Sequence, residues 1–491
     1  MSLITDPIVA REYVGEIAQR LSGNFIGGNW CPLSEESLEI FDPSTGATLG
    51  YVSASNGSEV DAAVAAAREA LGSWAMTAPA ERSRVLLELA QRVEDHANEF
   101  AVLEAVDTGK PISAMLEGEV AGIVDSIRYF AGAARALTAP AGGDYVAGFS
   151  STMRREPVGV VAAITPWNYP LLQAVAKVVP ALATGNTVVL KPAETTPYAT
   201  ARFVELAGEL LPAGVLNLLY GHGSVTGDLL SRHPGVDMVS FTGSIETGMR
   251  VGANAANAVT KSIMELGGNS PVIVFADADL ESALDDIAWA GLYNGGQECM
   301  SASRLIVQDS IFEDFVRGLA ARVQRTVIGD ALEPRTTLGP MNSSVHRERV
   351  NARVARRSAS ANVVVGGVIP DGPGFFYPPT IIAGAQQDDE VVAEEVFGPV
   401  FTVQSFATEA QAIAFANGTR YGLASSVFTK DGPTAARVQN TLNYGTVWVN
   451  THLAFGPDLP VSGFNASGIG TENSVDGIAE FTRLKHVMTK Y

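Results

Sequence analysis

The sequence predicts an α/β fold made of two doubly wound parallel sheets, and three observations lead there. The chain has 491 residues, too many for one ordinary core, so two or three domains are expected. From Ser151 onward, short apolar runs alternate with longer segments whose apolar residues recur at helical spacing. The runs close on turns rich in glycine or proline, as parallel strands do when each hands over to a covering helix.

Before that rhythm starts, residues 21–55 read as irregular structure or short strands, with Asp42-Pro43-Ser44-Thr45-Gly46 a turn by composition. Helical spacing over 58–68, 79–103 and 117–137 predicts three helices, the last ended by Pro140 and Gly142-Gly143. Strands are expected at 158–164, 187–191, 215–219 and 238–241, with helices over 171–183 and 198–211. Residues 151–265 thus make most of a nucleotide-binding type of unit. A second series predicts strands at 272–275, 304–307, 400–406, 425–428 and 445–449, and helices over 280–293, 311–326 and 407–417. The division near residue 265 follows from rhythm alone.

Composition narrows the function. With 46% hydrophobic and 8% aromatic residues the chain is ordinary globular protein. A net charge of −20 argues against a nucleic-acid or anionic-membrane partner. Residues 1–11 have no basic run before an apolar stretch, and no window is long and apolar enough to span a bilayer. The only cysteines, Cys31 and Cys299, do not make a disulfide framework, so a reducing, cytoplasmic setting is expected. The six histidines are scattered, and no metal site is expected.

Chemistry concentrates around Tyr293-Asn294-Gly295-Gly296-Gln297-Glu298-Cys299. A thiol beside glycines sits where backbone approaches a substrate closely, and a thiolate is a strong nucleophile. The alternative is a buried structural cysteine. Glu265, at the end of an apolar strand and before Gly267-Gly268, would become a usable base if partly desolvated; otherwise it is a solvated strand-end carboxylate. Asn168, in Thr165-Pro166-Trp167-Asn168-Tyr169-Pro170, offers an amide donor for an oxyanion or is a turn asparagine. Two glycine-rich turns follow strands. Gly221 to Gly227 misses the dinucleotide fingerprint because its third glycine comes one place late. In Phe241-Thr242-Gly243-Ser244, a hydroxyl and backbone N–H groups at a helix start suit a pyrophosphate. Lys191 and Glu194, at another strand end, suit a ribose diol or form a solvated pair.

Together these stretches, with Glu395-Val396-Phe397-Gly398-Pro399, resemble the aldehyde dehydrogenase superfamily in order and spacing over essentially the whole chain. The resemblance implies NAD-dependent oxidation of an aldehyde through a Cys299 thiohemiacetal and thioester. Asn168 and the Cys299 N–H would hold the oxyanion and Glu265 would activate water, with Lys177 and Glu472 in support. NAD would be held by Ile164, Thr165, Trp167, Lys191, Glu194, Gly227, Phe241, Gly243, Ser244, Leu266, Glu395 and Phe397. A carboxylate at Glu194 should repel a 2′-phosphate, which favours NAD over NADP. The resemblance also implies an NAD-binding domain (1–132 and 154–264), a catalytic domain (265–448) and a small β element (133–153 and 475–491) that pairs protomers into a homodimer or homotetramer.

The segments 443–452 and 486–490 look most like the aminoaldehyde branch, such as 4-aminobutanal dehydrogenases. Glu298 could there pair with an ammonium group, and Asp107 and Asp458 are further anionic candidates. The expected substrate pocket comprises Tyr169, Tyr293, Glu298, Met300, Phe455 and Val461. Val461-Ser462-Gly463, Asn465 and Ala176 depart from the usual pattern of relatives, and Ala176 and Val461 would leave a roomier, more apolar pocket, which suits a larger apolar or aromatic aldehyde as well as an amine. A CoA-acylating relative or a non-catalytic one are the other classes. Glu265 speaks against the first, and nucleophile, base and amide kept together speak against the second.

Overall fold

The computed structural model describes residues 6–491. Its first sheet has eight strands, in spatial order Gly468–Ile469, Lys261–Glu265, Met238–Thr242, Val160–Ile164, Thr187–Lys191, Leu216–Leu218, Phe25–Ile26 and Asn29–Trp30. The five central strands are parallel. They are largely buried on both faces, which explains runs such as Val160-Val-Ala-Ala-Ile164 and Val188-Val-Leu190. Strand order reverses at Val160–Ile164: the chain proceeds outward on one side, then returns to place Met238–Thr242 on the other. In open parallel sheets, ligands bind in the crevice at the carboxyl ends beside such a reversal. Ile164, Lys191, Thr242 and Glu265 each end one of these strands.

The second sheet has seven strands, ordered Asn362–Val365, Thr380–Ala383, Val400–Phe406, Arg304–Gln308, Pro271–Val274, Ala424–Phe428 and Thr446–Val449. All pairs are parallel except the edge pair of Asn362–Val365 with Thr380–Ala383. A third sheet joins Thr482–Lys490, Phe149–Pro157 and Gly143–Val146 in antiparallel register. Its strand Phe149–Pro157 extends past residue 153, because Thr482 pairs with Pro157.

Element positions read from periodicity agree with the structure to within a few residues for most strands. The differences have local causes. The stretch 79–103 is two helices, Pro79–Asp95 and Ala97–Thr108, broken at His96, which leaves helical geometry. The helix expected from 117 begins at Val120, after a wider turn over Met115–Glu119. Helices Pro7–Arg20, Ser344–Ala355 and Gly432–Thr441 have weak apolar stripes and were not expected; side-chain caps from Asp6, Ser343 and Asp431 start them. Gly468–Ile469 is too short to show periodicity, and it reaches the first sheet from near the end of the chain.

Behind the nucleophile loop, strand Arg304–Gln308 is anchored by a fully buried arginine. The Arg304 guanidinium donates to the carbonyls of Phe415 (2.7 Å) and Ala416 (2.8 Å), in the last turn of helix Glu409–Asn417, and to the Tyr444 hydroxyl (3.2 Å). It satisfies carbonyls that the helix end leaves open and places a cation at the negative end of the helix dipole. Arg304→Met should therefore destabilise the protein by about 3 kcal/mol, the scale for losing charged hydrogen bonds in a buried site. The check is a lowered urea midpoint relative to the parent.

Candidate active site

A cavity of 1740 Å³ opens between the two large sheets, along the carboxyl ends of the first. It is lined by Cys299, Glu265, Asn168 and Glu472, and by every expected cofactor residue except Gly227. Lys177 lies just beneath the wall. Gly227 is corrected: it is buried under the aliphatic stem of Lys191, whereas Gly223 and Ser224 of the same turn face the cavity. The turn winds one residue wider than an α-helix, which carries its last glycine away from the opening.

The loop before Cys299 owes its shape to Asn294, Gly295 and Gly296, all at positive φ (50°, 66° and 66°). A side chain on Gly296 would strike the Gly398 carbonyl, so the close approach requires glycine. Side chains then lock the loop. Asn294 Nδ2 donates to the Asn168 carbonyl (2.8 Å), Gln297 Nε2 donates to the Asn294 carbonyl (3.0 Å), and the Asn342 N–H donates to Gln297 Oε1 (2.9 Å). Asn168 Nδ2 donates one hydrogen to the Gln297 carbonyl at 3.0 Å. An amide nitrogen carries two, and the second remains for a ligand beside Cys299.

Glu265 ends its strand in the same cavity, buried, with Oε1 lacking any protein partner. Burial first, and the Glu472 charge second, push its carboxyl well above the usual range, against the opposing pull of Lys177. That cation is committed elsewhere. Lys177 Nζ bonds Glu472 and donates to Thr242 Oγ1 (2.6 Å), and no bond joins it to Asn168. Glu395 accepts from the Gly268 N–H at 3.0 Å, and burial drives it up to about 8. The Cys299 thiol is likewise pushed up, by burial first and then by the charges of Glu298, Glu395 and Glu265.

At the other end of the cavity, Lys191 is buried and stands 3.5 Å from Glu194, whose carboxylate is 40% exposed toward the opening. Ser244 caps helix Ile245–Asn257, so backbone N–H groups and the positive end of a helix dipole face the same space. Residues not anticipated from the sequence also line it. His346 stacks on Trp167 with ring centroids 4.9 Å apart and bonds the Phe397 carbonyl (2.7 Å). Phe397 has a φ of 59°, a costly conformation that the His346 and Trp167 contacts hold in place. Burial lowers His346 to about 4, which keeps the ring neutral. Arg353 donates to the Glu395 carbonyl. No periodic or glycine signal marks these residues, because they come from a helix on the far side of the cavity.

All the expected substrate residues, Tyr169, Tyr293, Glu298, Met300, Phe455 and Val461, line the cavity with Cys299, as do Leu172, Ala176, Trp289 and Leu453. Asp107 is instead buried away from it, bonding the Tyr198 and Ala199 N–H groups, and Asp458 does not line the cavity.

Residues 30–487 match the family model described as the aldehyde dehydrogenase family. The chain belongs to the aldehyde dehydrogenase family. It is 42% identical over 480 residues to the phenylacetaldehyde dehydrogenase of Pseudomonas fluorescens, covering 95% of each chain. It is 39% identical to the betaine aldehyde dehydrogenase of Bacillus subtilis (strain 168), covering 94% of this chain and 96% of that one. Among solved structures, the betaine aldehyde dehydrogenase of Staphylococcus aureus in complex with NAD+ superposes with a TM-score of 0.94 at 38% identity, covering 98% of this chain and 97% of that one. This chain is an aldehyde dehydrogenase with the two-sheet α/β fold of the family.

Gly268 sets the spacing between Glu265 and the Cys299 loop in this dehydrogenase. A side chain there would overlap the Cys299 carbonyl. Gly268→Ala should move the sulfur and lower kcat/KM for aldehyde oxidation about a hundredfold, the usual cost of a misplaced reacting group. The check is steady-state kinetics, with circular dichroism showing the fold intact.

Proposed function

We propose that this protein oxidises aldehydes with NAD+, using Cys299 as nucleophile, Asn168 and the Cys299 N–H as oxyanion donors, and Glu265 as base. The observation that carries this reading is the convergence of sulfur, amide and unpartnered carboxylate on one end of the cavity. The residues at the other end suit the dinucleotide. Lys191 and Glu194 fit the adenosine ribose diol, the Ser244 helix start fits the pyrophosphate, and Glu395 and Phe397 fit the second ribose. Glu194 disfavours the extra phosphate of NADP. On this reading the eight-stranded sheet, with the segments 1–132 and 154–264, binds the cofactor, and 265–448 carries the nucleophile.

As the Cys299 sulfur adds to the aldehyde carbon, its proton passes to Glu265 and on to solvent, and the new oxyanion is held by the Asn168 amide and the Cys299 N–H. Bound NAD+ supplies the hydride acceptor. Loss of hydride from the carbon leaves a thioester on Cys299. Glu265 takes a proton from water, the oxygen adds to the thioester carbon, and the carbon–sulfur bond breaks to release the acid. A carboxyl pushed up by burial suits this step, because a base works best with a pKa near the operating pH. Lys177, through Glu472, tunes that base.

The pocket best fits an aldehyde with an apolar or aromatic tail. Leu172, Ala176, Trp289, Tyr293, Met300, Leu453, Phe455 and Val461 face the tail position. Glu119, the acidic group behind Tyr293, is already paired with Lys110 at 2.5 Å. Similarity to a phenylacetaldehyde dehydrogenase supports this choice. The second reading, an aminoaldehyde such as 4-aminobutanal, is favoured by Glu298, which has no cationic partner among the described residues. A panel of phenylacetaldehyde, hexanal, 4-aminobutanal and betaine aldehyde with both cofactors separates them. Higher kcat/KM for the first two, with NAD+ over NADP+, is expected. A preference for the last two would reverse the substrate assignment, and equal efficiency with NADP+ would reverse the cofactor assignment.

The strand Thr482–Lys490 is the edge of the third sheet and exposes Leu484, Val487 and Met488. An unprotected edge of this kind recruits a partner strand, so the 133–153 and 475–491 segments are assigned to pairing of protomers. Sedimentation at micromolar concentration should show a dimer or tetramer; a monomer alone would refute the assignment.

A further inference from the structure

Glu298 precedes the nucleophile, and its side chain turns back onto it. Its Oε1 accepts a hydrogen bond from Cys299 Sγ at 3.2 Å and another from the Met300 N–H at 3.1 Å. Two donors on one oxygen fix the carboxylate against the sulfur. The other groups facing it are also anionic or neutral. Glu395 and Glu265 face the sulfur from the two sides of the cavity. The Tyr169 and Tyr293 hydroxyls lie by Glu298, and both are held protonated, chiefly by burial. The nearby cations are engaged: Lys110 with Glu119 and over the Tyr169 ring, Lys177 with Glu472, and Arg353 with the Glu395 carbonyl. No described cation is ion-paired with Glu298, so nothing in the loop offsets its charge beside a thiolate.

We propose that Glu298 holds Cys299 as a neutral, hydrogen-bonded thiol in the resting enzyme. The inference rests on Cys299 being the nucleophile and adds a role for its neighbour. A thiolate 3.2 Å from a carboxylate is repelled by it, whereas the S–H form is stabilised by donating to it. The thiol is less readily oxidised than the thiolate, so the contact protects the sulfur between turnovers. Glu298 is half-buried on a cavity wall, so replacing it does not open the core.

The test follows alkylation of Cys299 by iodoacetamide between pH 6 and 10, in a Cys31→Ser background, without aldehyde or cofactor. Glu298→Gln should lower the apparent thiol pKa by at least one unit, which makes alkylation at pH 7 about tenfold faster, and should speed inactivation by hydrogen peroxide. Glu298→Asp, which retains the charge, should stay near the parent. An unchanged Gln profile, or Gln and Asp profiles that shift together, would overturn the proposal. Cys299→Ala is the separate control: if it still oxidised aldehydes at the parent rate, the nucleophile assignment itself would fall, whatever the alkylation profiles.

Discussion

Five residues, Leu266 to Ser270, link the last parallel strand of the first sheet to the first strand of the second, and the site depends on how tightly they run. Glu265 sits at one end. The Gly268 backbone presses on the Cys299 carbonyl and donates to Glu395, and the Leu266 N–H and Gly267 carbonyl are bonded to Ser467. Asn269 reaches the Val392 carbonyl. One short crossing therefore brings Glu265, Cys299, Glu395 and the C-terminal segment into register. At 268 the approach requires glycine, because a Cβ there would overlap the Cys299 backbone carbonyl.

The second constraint is electrostatic. Three carboxylates, from Glu265, Glu298 and Glu395, bear on one sulfur in the cavity. Isolated charges there are expensive, so burial moves the titrations of Glu265, Glu395 and the thiol upward. This keeps more protons in the site at neutral pH than free side chains would hold. The same environment makes each hydrogen-bond donor more effective, which is why a single amide such as Asn168 matters to an oxyanion. The acidic surface and the acidic site are separate matters, since the first concerns solubility and the second proton transfer.

Much of this was legible before any coordinates. Strands 187–191 and 400–406 match their expected bounds to the residue, because each is a short run rich in β-branched and apolar residues bounded by turn or polar signals. Cys299, Glu265 and Asn168 stand out in the sequence because each sits in a distinctive glycine or proline context, and the structure brings all three to one cavity. Helix Ser344–Ala355 was missed, and with it His346 and Arg353, because its apolar stripe is thin and its importance lies in what it faces. Gly227 was placed in the wrong position because glycine-rich turns look alike in sequence, and a single wider helical turn decides which glycine meets the opening.

The sequence by itself determined the alternation of strand and helix, the division into two large sheets, the glycine-flanked thiol of Cys299 and the family resemblance. These are carried by local periodicity and short motifs, and they need no knowledge of distant contacts. Tertiary structure alone decided that Glu298 turns onto the sulfur, that Lys177 serves Glu472 rather than Asn168, and that Gly468–Ile469 closes the first sheet. Each depends on which of several nearby partners a side chain or short strand reaches. For Lys177 with Glu472, and for Gly468–Ile469 with its partner strand, packing between residues hundreds of positions apart sets that choice; Glu298 and Cys299 are neighbours in the chain, but the direction of the Glu298 side chain is not written there.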